Sequence, residues 1–290
     1  MDIGLILRKK LDDVLLESED QIEDYGHFKF LQDKGHNVVS YTPDSLNLDE
    51  LKKKDFVFYF MYPFNRELSS YLSRFENDIF FINPPSKVLL SAPKTFEPNY
   101  FQEHLPEHFI YSNNDVGSLK KFLSKEKDLI IKPIEGTGGK GIVFFDKFKP
   151  VEEKLKDYLV MHSEYPQGYI CEEFIENDGD KRVIVFNGDV LGSIGRVNKN
   201  TYVNNISSGG NYANLPLSSK EEFIVCAVAK KLKNMGVYFA GLDILSNHLI
   251  EVNTSAPGCT SIVKPLNVEA YDVLEKFHDN LMDLYESKKN

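Results

Sequence analysis

Gly241-Leu242-Asp243-Ile244-Leu245, then Ser246-Asn247-His248, then Leu249-Ile250-Glu251-Val252-Asn253-Thr254-Ser255 is the stretch on which the reading of this chain turns. Both apolar runs have the length of strands, and the three residues between them suit a hairpin turn. Each run carries a carboxylate where an unpaired charge would be costly to bury. If the runs pair, Asp243 and Glu251 lie side by side. Asn253, two residues beyond Glu251, shares its strand face. Carboxylate and amide oxygens converging on one point are hard donors suited to Mg²⁺, which typically also takes phosphate oxygens and water. The plainer alternative is a pair of salt-bridged acids near strand ends. What lies upstream favours the metal.

Upstream, Glu135-Gly136-Thr137-Gly138-Gly139-Lys140-Gly141 separates two further strand-like runs, Leu129 to Lys132 and Ile142 to Phe145. Glycines let backbone amides approach phosphate oxygens, and successive amides make an anion nest; the alternative is a flexible hairpin. No helix with Lys-Ser/Thr follows, so this is not a Walker loop, and the strand-to-helix setting of a dinucleotide fingerprint is missing. Lys132, on the strand entering the loop, needs a phosphate partner or a route to water. Cys171-Glu172-Glu173-Phe174-Ile175 ends another run. Adjacent strand residues point to opposite faces, so one glutamate faces inward, able to accept from an adenine amino group or a ribose hydroxyl, unless both are solvated edge residues. Asp178-Gly179-Asp180-Lys181-Arg182, Arg196, Asn205 and Gly209-Gly210 follow. Arginine holds carboxylate or phosphate bidentately. The polar stretch 198–211 reads as a mobile loop that closes over substrate, against ordinary surface arginines and a plain turn.

The 290 residues suggest two domains, at roughly 100–200 residues each. A hydrophobic content of 42%, with 12% aromatic, excludes collagen-like, low-complexity and disordered classes. The net charge of -10 and the lack of a Lys/Arg block argue against nucleic acid as a partner. An acidic protein that binds an anion must build a local cationic pocket, which draws attention to its five arginines, Arg8, Arg66, Arg74, Arg182 and Arg196. Cys171, Cys226 and Cys259 form neither a disulfide framework nor a Cys-x-x-Cys site and read as free thiols of a reducing cytosol. Cys259, after Pro257-Gly258, has no evident histidine partner and reads as structural. The seven histidines show no ligand spacing. The amino-terminal apolar run is too short for a signal peptide, and no run approaches the ~18 residues of a membrane span. The expectation is a cytoplasmic protein without a membrane partner.

Strand-like runs at Ile3–Leu7, Val38–Tyr41, Phe56–Phe60 and Ile79–Ile82 alternate with helical ones around Phe28–Leu31 and Glu67–Phe75, predicting an α/β fold with a small open parallel layer at the amino terminus. The second half reads as α+β. Strands at Tyr169–Ile175, Arg182–Phe186 and Val190–Ile194 are split by Asp-Gly and Asn-Gly turns. A helix over Ser219–Met235 is capped by Ser218 or Ser219, has Glu221 and Glu222 at its positive end, and stops at Gly236. A last helix runs over about 270–285. The division expected is 1–118 as an amino-terminal α/β domain and 119–290 as a second, with a glycine-loop subdomain (119–178) and a metal- and substrate-binding one (179–290).

Taken together, the lysine before a glycine loop, Glu-Glu-Phe-Ile ending a strand, Gly-Asp-Lys-Arg-Val and the late Asp…Glu-x-Asn resemble the ATP-grasp ligases. Among these they are most similar to the bacterial glutathione synthetases, over about residues 119–262, with Asn83-x-Pro85 and Lys94 extending the likeness forward. The resemblance implies an ATP-grasp fold. It further implies that Lys94, Lys132, the loop Gly136, Thr137, Gly138, Gly139, Lys140, Gly141, the stretch Glu172, Glu173, Phe174, Ile175, and Asp180 bind ATP. Asp243, Glu251 and Asn253 would hold Mg²⁺, with Mn²⁺ as the alternative ion. Arg182 and Arg196 would contact the peptide substrate and its phosphorylated carboxylate, with Asn205, Gly209, Gly210 and Ser255 also on the substrate side. The implied activity joins γ-glutamylcysteine and glycine through an acyl phosphate in a homo-oligomer, a tetramer or dimer. Other readings are a glutamate-adding ligase on a protein terminus, another short-peptide ligase, or a non-catalytic nucleotide-binding scaffold. Two departures bear on the peptide. The family has Arg-Lys-Asp-Pro-Pro-Phe-Asp where this chain has Tyr62-Pro63-Phe64-Asn65-Arg66, and an arginine where this chain has Val203.

Overall fold

The computed structural model describes residues 1–13, 19–62, 64–111, 115–136, 139–164, 167–258 and 270–289. Thr137, Gly138 and Cys259, singled out above, lie outside the described residues. The chain begins with β1 (Asp2–Ile6), α1 (Glu19–Asp33), β2 (Asn37–Tyr41), β3 (Phe56–Tyr59), α2 (Arg66–Leu72) and β4 (Phe81–Ile82). The four strands make a parallel sheet in the order β2-β1-β3-β4. Period-two alternation divides β1 and β3 between two cores. Ile3, Leu5, Phe56 and Phe58 join Phe28, Leu31, Phe277 and Leu281 on one face. Ile6, Val57 and Tyr59 join Leu51, Leu72 and Val88 on the other.

β4 is shorter than the run Ile79–Ile82 suggests. Asn83 turns the chain at φ 61°, and Pro85 starts α3 (Pro85–Ser91). Asn83 is also a tie between distant parts: its Oδ1 accepts from the amides of Tyr238 (2.9 Å) and Phe239 (2.8 Å), and its Nδ2 donates to Thr254 O (2.8 Å). After α4 (Phe96–Tyr100) come β5 (His108–Tyr111), α5 (Val116–Leu123), β6 (Leu129–Pro133), β7 (Val143–Phe145), α6 (Val151–Glu164) and β8 (Tyr169–Glu173). These strands form an antiparallel sheet, β5-β8-β6-β7. β5, α5 and α6 had no counterpart in the sequence reading. β5 is hydrogen-bonded into the glycine-loop sheet although it precedes residue 119.

The third sheet is antiparallel, in the order β11-β10-β9-β12-β13, from β9 (Asp180–Phe186), β10 (Asp189–Val197), β11 (Asn211–Ala213), β12 (Phe239–Leu245) and β13 (His248–Asn253). Its β12–β13 turn places Ser246 and Asn247 at φ 44° and 66°, the left-handed backbone that a tight hairpin needs. Between β11 and β12 lies α7 (Ser219–Asn234), and α8 (Ala270–Lys289) closes the chain. Of the two candidate caps Ser218 is used, and it forms a capping box with Glu221: Glu221 N donates to Ser218 Oγ (3.2 Å) and Ser218 N to Glu221 Oε2 (2.8 Å). Ile224, Val225, Val228 and Leu232 of α7 cover one face of the sheet, against Val183, Val185, Leu242 and Ile244. On the other face Ile184, Phe186 and Phe239 are apolar and pack on Val273 and Phe277 of α8. Gly192 makes room for that contact, since a Cβ there would sit 2.6 Å from Val273 Cγ2. Further along this same face the residues turn polar, and the candidate site lies there.

Histidines that show no ligand spacing in sequence meet in space. His36 Nε2 and His278 Nε2 lie 2.9 Å apart, and Glu275, His278 and Asp279 gather on α8. Cys171 is buried and Cys226 exposed, both as free thiols. His27 is buried among Phe28, Phe60, Phe239 and Phe277. Burial pushes its pKa down to about 3. The unfolded chain accepts a proton there below pH ~6.5 and the folded chain does not, so His27 contributes stability above that pH which is lost as pH falls towards 3. Relative to His27→Leu, the urea-unfolding free energy of the wild type should be flat above pH 7. Between pH 6 and 4 it should fall by about 1.4 kcal/mol per pH unit. A difference that does not vary with pH would mean that the imidazole is charged or solvated in the fold.

Candidate active site

Strand register assembles the site. On β13, Glu251 is directly opposite Asp243 of β12, and Asn253 is opposite Gly241. Asp243 is in turn opposite Arg182 of β9, and Asp180 of β9 is opposite Arg196 of β10. Residues two apart share a face, so the two arginines, the two aspartates, Glu251 and Asn253 line one end of one sheet face. Asp243 is buried. It accepts from Arg182 Nε (2.6 Å) and Arg196 Nη2 (3.0 Å), while Arg196 also grips Asp180 through Nε (2.7 Å) and Nη2 (2.8 Å). Burial pushes the Asp243 carboxyl up, but the two guanidinium groups outweigh it and hold the group below the usual carboxylate range. Asp180 goes the other way: burial dominates, Arg196 offsets it only in part, and its pKa is raised.

Lys94 stands before this row. Its Nζ donates to Gly136 O (2.9 Å) and to Glu251 Oε1 (3.1 Å), so one ammonium links the root of the glycine loop to β13. Burial lowers its pKa, the Glu251 carboxylate raises it, and the net shift is upward. Lys132 and Glu172 are both buried and form an ion pair across β6 and β8, while Glu173 faces outward to Lys127 (2.8 Å). This is the split between faces expected of adjacent strand residues.

One cleft runs between the two antiparallel sheets. Lys94, Lys132, Gly136, Gly139 and Lys140 line it, as do Glu172, Glu173, Phe174 and Ile175, and so do Asp180, Asn205, Asp243 and Glu251. Gly141, Gly209, Gly210, Arg182 and Arg196 do not; the arginines stand behind Asp243 and Asp180. Gly210 instead lies against Asn204, whose carbonyl oxygen would be 2.2 Å from an added Cβ, and Gly209 turns the chain at φ 86°.

The stretch 198–211, expected to be mobile, is internally bonded. Asn198 N donates to Asn204 Oδ1 (3.1 Å), Asn198 Nδ2 to Val203 O and Ser208 O (3.0 Å each), and Asn204 Nδ2 to Asn177 Oδ1 (3.0 Å). It rests on the glycine loop: Tyr202 Oη donates to Ile142 O (3.3 Å), and a Cβ on Gly139 would sit 2.9 Å from Val203 Cγ1. The valine that replaces the family's arginine is therefore part of the roof of the cleft. Gly139 has φ 72°. Gly139→Ala combines a left-handed backbone penalty of ~1–2 kcal/mol with that contact, and should lower the urea-unfolding free energy by about that amount. A loss well below ~1 kcal/mol would show that Gly139 and Val203 do not meet in the working protein.

A second cavity of about 290 Å³ adjoins the cleft, sharing Lys94, Gly136 and Glu251 with it. Phe64, Arg66, Glu97, Glu135, Asn253 and Ser255 are among its other lining residues. Ser255 is thus separated from Asn205, which lines the cleft. Glu97 went unnoticed in the sequence because its burial depends on a strand 155 residues away: its Oε1 accepts from Val252 N (2.8 Å). Burial raises its pKa to about 8, against the pull of that amide.

Carboxylate and amide oxygens are the donor chemistry of a hard divalent cation, although both oxygens of Asp243 already accept from guanidinium groups. Asp243, Glu251 and Asn253 offer oxygen on one face, and Asn253 Nδ2 is a buried amide nitrogen without a partner. Turned over, that amide would present its carbonyl oxygen at the same point, where a cation would satisfy it.

A sheet bearing these donors, faced by a second sheet whose glycine loop roofs the cleft, is an ATP-grasp fold. Solved structures share it. A D-cycloserine synthetase superposes with a TM-score of 0.70 at 11% identity, over 97% of this chain and 100% of the other. A D-alanine–D-alanine ligase of Bacillus anthracis complexed with ATP superposes with 0.64 at 15% identity, over 99% of each. The chain belongs to the prokaryotic glutathione synthetase ATP-grasp family, whose profile, described as "Prokaryotic glutathione synthetase, ATP-grasp domain", matches residues 95–267. The glutathione synthetase of Synechococcus elongatus is 31% identical over 161 residues, 54% of this chain and 48% of that protein. That of Buchnera aphidicola subsp. Baizongia pistaciae is 30% identical over 191 residues, 63% of this chain and 56% of that protein. The match thus spans about half the length of these curated relatives.

Proposed function

We propose that this protein is an ATP-dependent carboxylate–amine ligase. The observation that carries the reading is the pairing of Asp243 with Glu251 across β12 and β13, with Lys94 joining Glu251 to the glycine loop at Gly136. In this reading the phosphates lie under the loop 136–141, with Lys94 and Lys132 offsetting their charge. The base and ribose lie along Glu172–Ile175. Asp243, Glu251 and Asn253 would hold Mg²⁺, or Mn²⁺, which when bound supplies further charge neutralisation on the phosphates.

A donor carboxylate oxygen attacks the γ-phosphorus of ATP. The new O–P bond forms as the bridging bond to the β-phosphate oxygen breaks, and ADP leaves. An amine nitrogen then attacks the acyl carbon, the C–N bond forms, inorganic phosphate leaves with the C–O bonding pair, and the amine proton passes to solvent. The acyl phosphate would hydrolyse in open water, so the roof made by Gly139 and Tyr202–Val203 has a protective role. Arg182 and Arg196 act in this reading as positioning residues, keeping Asp243 ionised and aimed. No nucleophilic side chain takes part.

The resemblance makes the donor γ-glutamylcysteine and the amine glycine, in the cytoplasm, without nucleic acid, in a dimer or tetramer. A second reading, a ligase for another short peptide or for a protein terminus, draws on Val203 and on Tyr62–Arg66, which alter the surroundings where the family carries charge. ADP release measured with γ-glutamylcysteine plus glycine, with product identification by mass spectrometry, separates the two. ADP formed only with a different donor or amine would remove the glutathione assignment. Among the described residues no helix is long and apolar enough to cross a membrane.

A further inference from the structure

The second cavity has one cation at its mouth whose partner is exchangeable. Arg66 is the first residue of α2, and its backbone is held firmly. Asn65 Oδ1 accepts from Leu68 N (2.9 Å), and Asn65 O accepts from Tyr59 Oη (3.1 Å) and Ser69 Oγ (2.8 Å). Its side chain, by contrast, reaches out to Glu135 at the root of the glycine loop, Nη2 to Oε1 2.6 Å, with both side chains about half exposed (53% and 43%). An exposed ion pair of this kind contributes little to stability, about 0–1 kcal/mol, and is readily exchanged. The other cation of the cavity, Lys94, is already committed to Glu251 and Gly136 O. Arg182 and Arg196, which the sequence offered as substrate ligands, do not line the cavity and are committed to Asp243 and Asp180.

From this we infer that Arg66 is the specificity residue for the acyl donor: its guanidinium binds a second carboxylate of the donor, remote from the one that is phosphorylated, and Glu135 holds that place until the donor arrives. The inference rests on the ligase reading above and deepens it. The donor class is a short peptide or amino-acid derivative with two carboxylates, one presented at Lys94 and Glu251 on the boundary with the nucleotide cleft, the other at the mouth. Planar, bidentate recognition is what arginine provides and lysine does not.

The test compares two donors in the ADP-release assay, with glycine as amine. One is γ-glutamylcysteine; the other is its analogue in which the glutamyl α-carboxylate is replaced by hydrogen. A hydrogen bond to a charged group is worth about 10- to 100-fold in affinity. The wild type should therefore show a KM for the analogue higher by that factor, with kcat little changed. Arg66→Ala should raise KM for γ-glutamylcysteine by the same factor and erase the discrimination, leaving KM for ATP within about 2-fold. Arg66→Lys should restore part of it, and Glu135→Gln, by removing the competing carboxylate, should lower KM. Calorimetric titration of Mg-ATP accompanies each variant and reports on the nucleotide site independently. If Arg66→Ala keeps wild-type discrimination, or if the wild type binds Mg-ATP but turns over neither donor, the Arg66 proposal falls while the nucleotide reading stands. If the wild type does not bind Mg-ATP, the ligase reading falls with it.

Discussion

Glu251→Ala is expected to lower ATP-dependent turnover by about 10³-fold or more while leaving the fold intact. Removing one preorganised electrostatic group from an active site already costs ~10²–10³ in rate, and Glu251 serves two functions at once. It is opposite Asp243 in the donor set, and it holds Lys94, which reaches Gly136 O at the loop root. Its side chain is 31% exposed and that of its partner Lys94 17%, so the pair lies between a surface pair and a buried one, and deleting the carboxylate should cost about 1–2 kcal/mol. The variant should therefore unfold within about 2 kcal/mol of wild type in urea. Turnover within a few-fold of wild type would remove Glu251 from the site. A large loss of stability would make its role structural.

Asp243→Ala should behave in the opposite way on stability. Asp243 is buried and shared by two guanidinium groups, of which Arg196 is itself buried. Deleting the carboxylate leaves those charges uncompensated in a dry environment, and breaking a buried pair from one side typically costs ~3–5 kcal/mol. A fall of that size in the urea-unfolding free energy is expected, together with loss of turnover. A change below 1 kcal/mol would mean that Arg182 and Arg196 reach water or other partners. Two donors of one candidate metal site, opposite each other on adjacent strands, thus differ in how deeply they are built into the molecule. The difference comes from their neighbours: Asp243 lies on the side of β9 and β10, which carry Arg182 and Arg196, Glu251 on the edge strand facing the cavity.

Much of this was legible in the chain itself. The hairpin of Gly241–Asn253 follows from two apolar runs and a short turn, though the turn is Ser246-Asn247 alone, since His248 pairs with Leu245; of the two candidate caps of α7, Ser218 is the one used. The inward choice of Glu172 over Glu173 was foreseen as a choice but not resolved, because period two says that one must face in without saying which. Burial decided it, through Lys132. Glu97 gave no local signal, Glu135 was only the head of the glycine loop, and Arg66 only one of five arginines and the end of a departure from the family's motif; each acquires its setting from a residue 69 or more positions distant.

Sequence by itself determined many of the local matters: most of the strand runs, though not β5, the start and stop of α7, which side chains share a strand face, and that oxygen donors occur at alternate positions on β13. These depend on backbone geometry and on the cost of burying charge, which act over a few residues. Tertiary structure alone decided the partners. It set both arginines behind Asp243 and Asp180 instead of in the cavity, laid Tyr202 and Val203 on the glycine loop, and brought Arg66 to Glu135. Ion pairing and close packing depend on distance in space, and sheet order, with its non-consecutive neighbours β8-β6 and β9-β12, is what turns separation along the chain into contact.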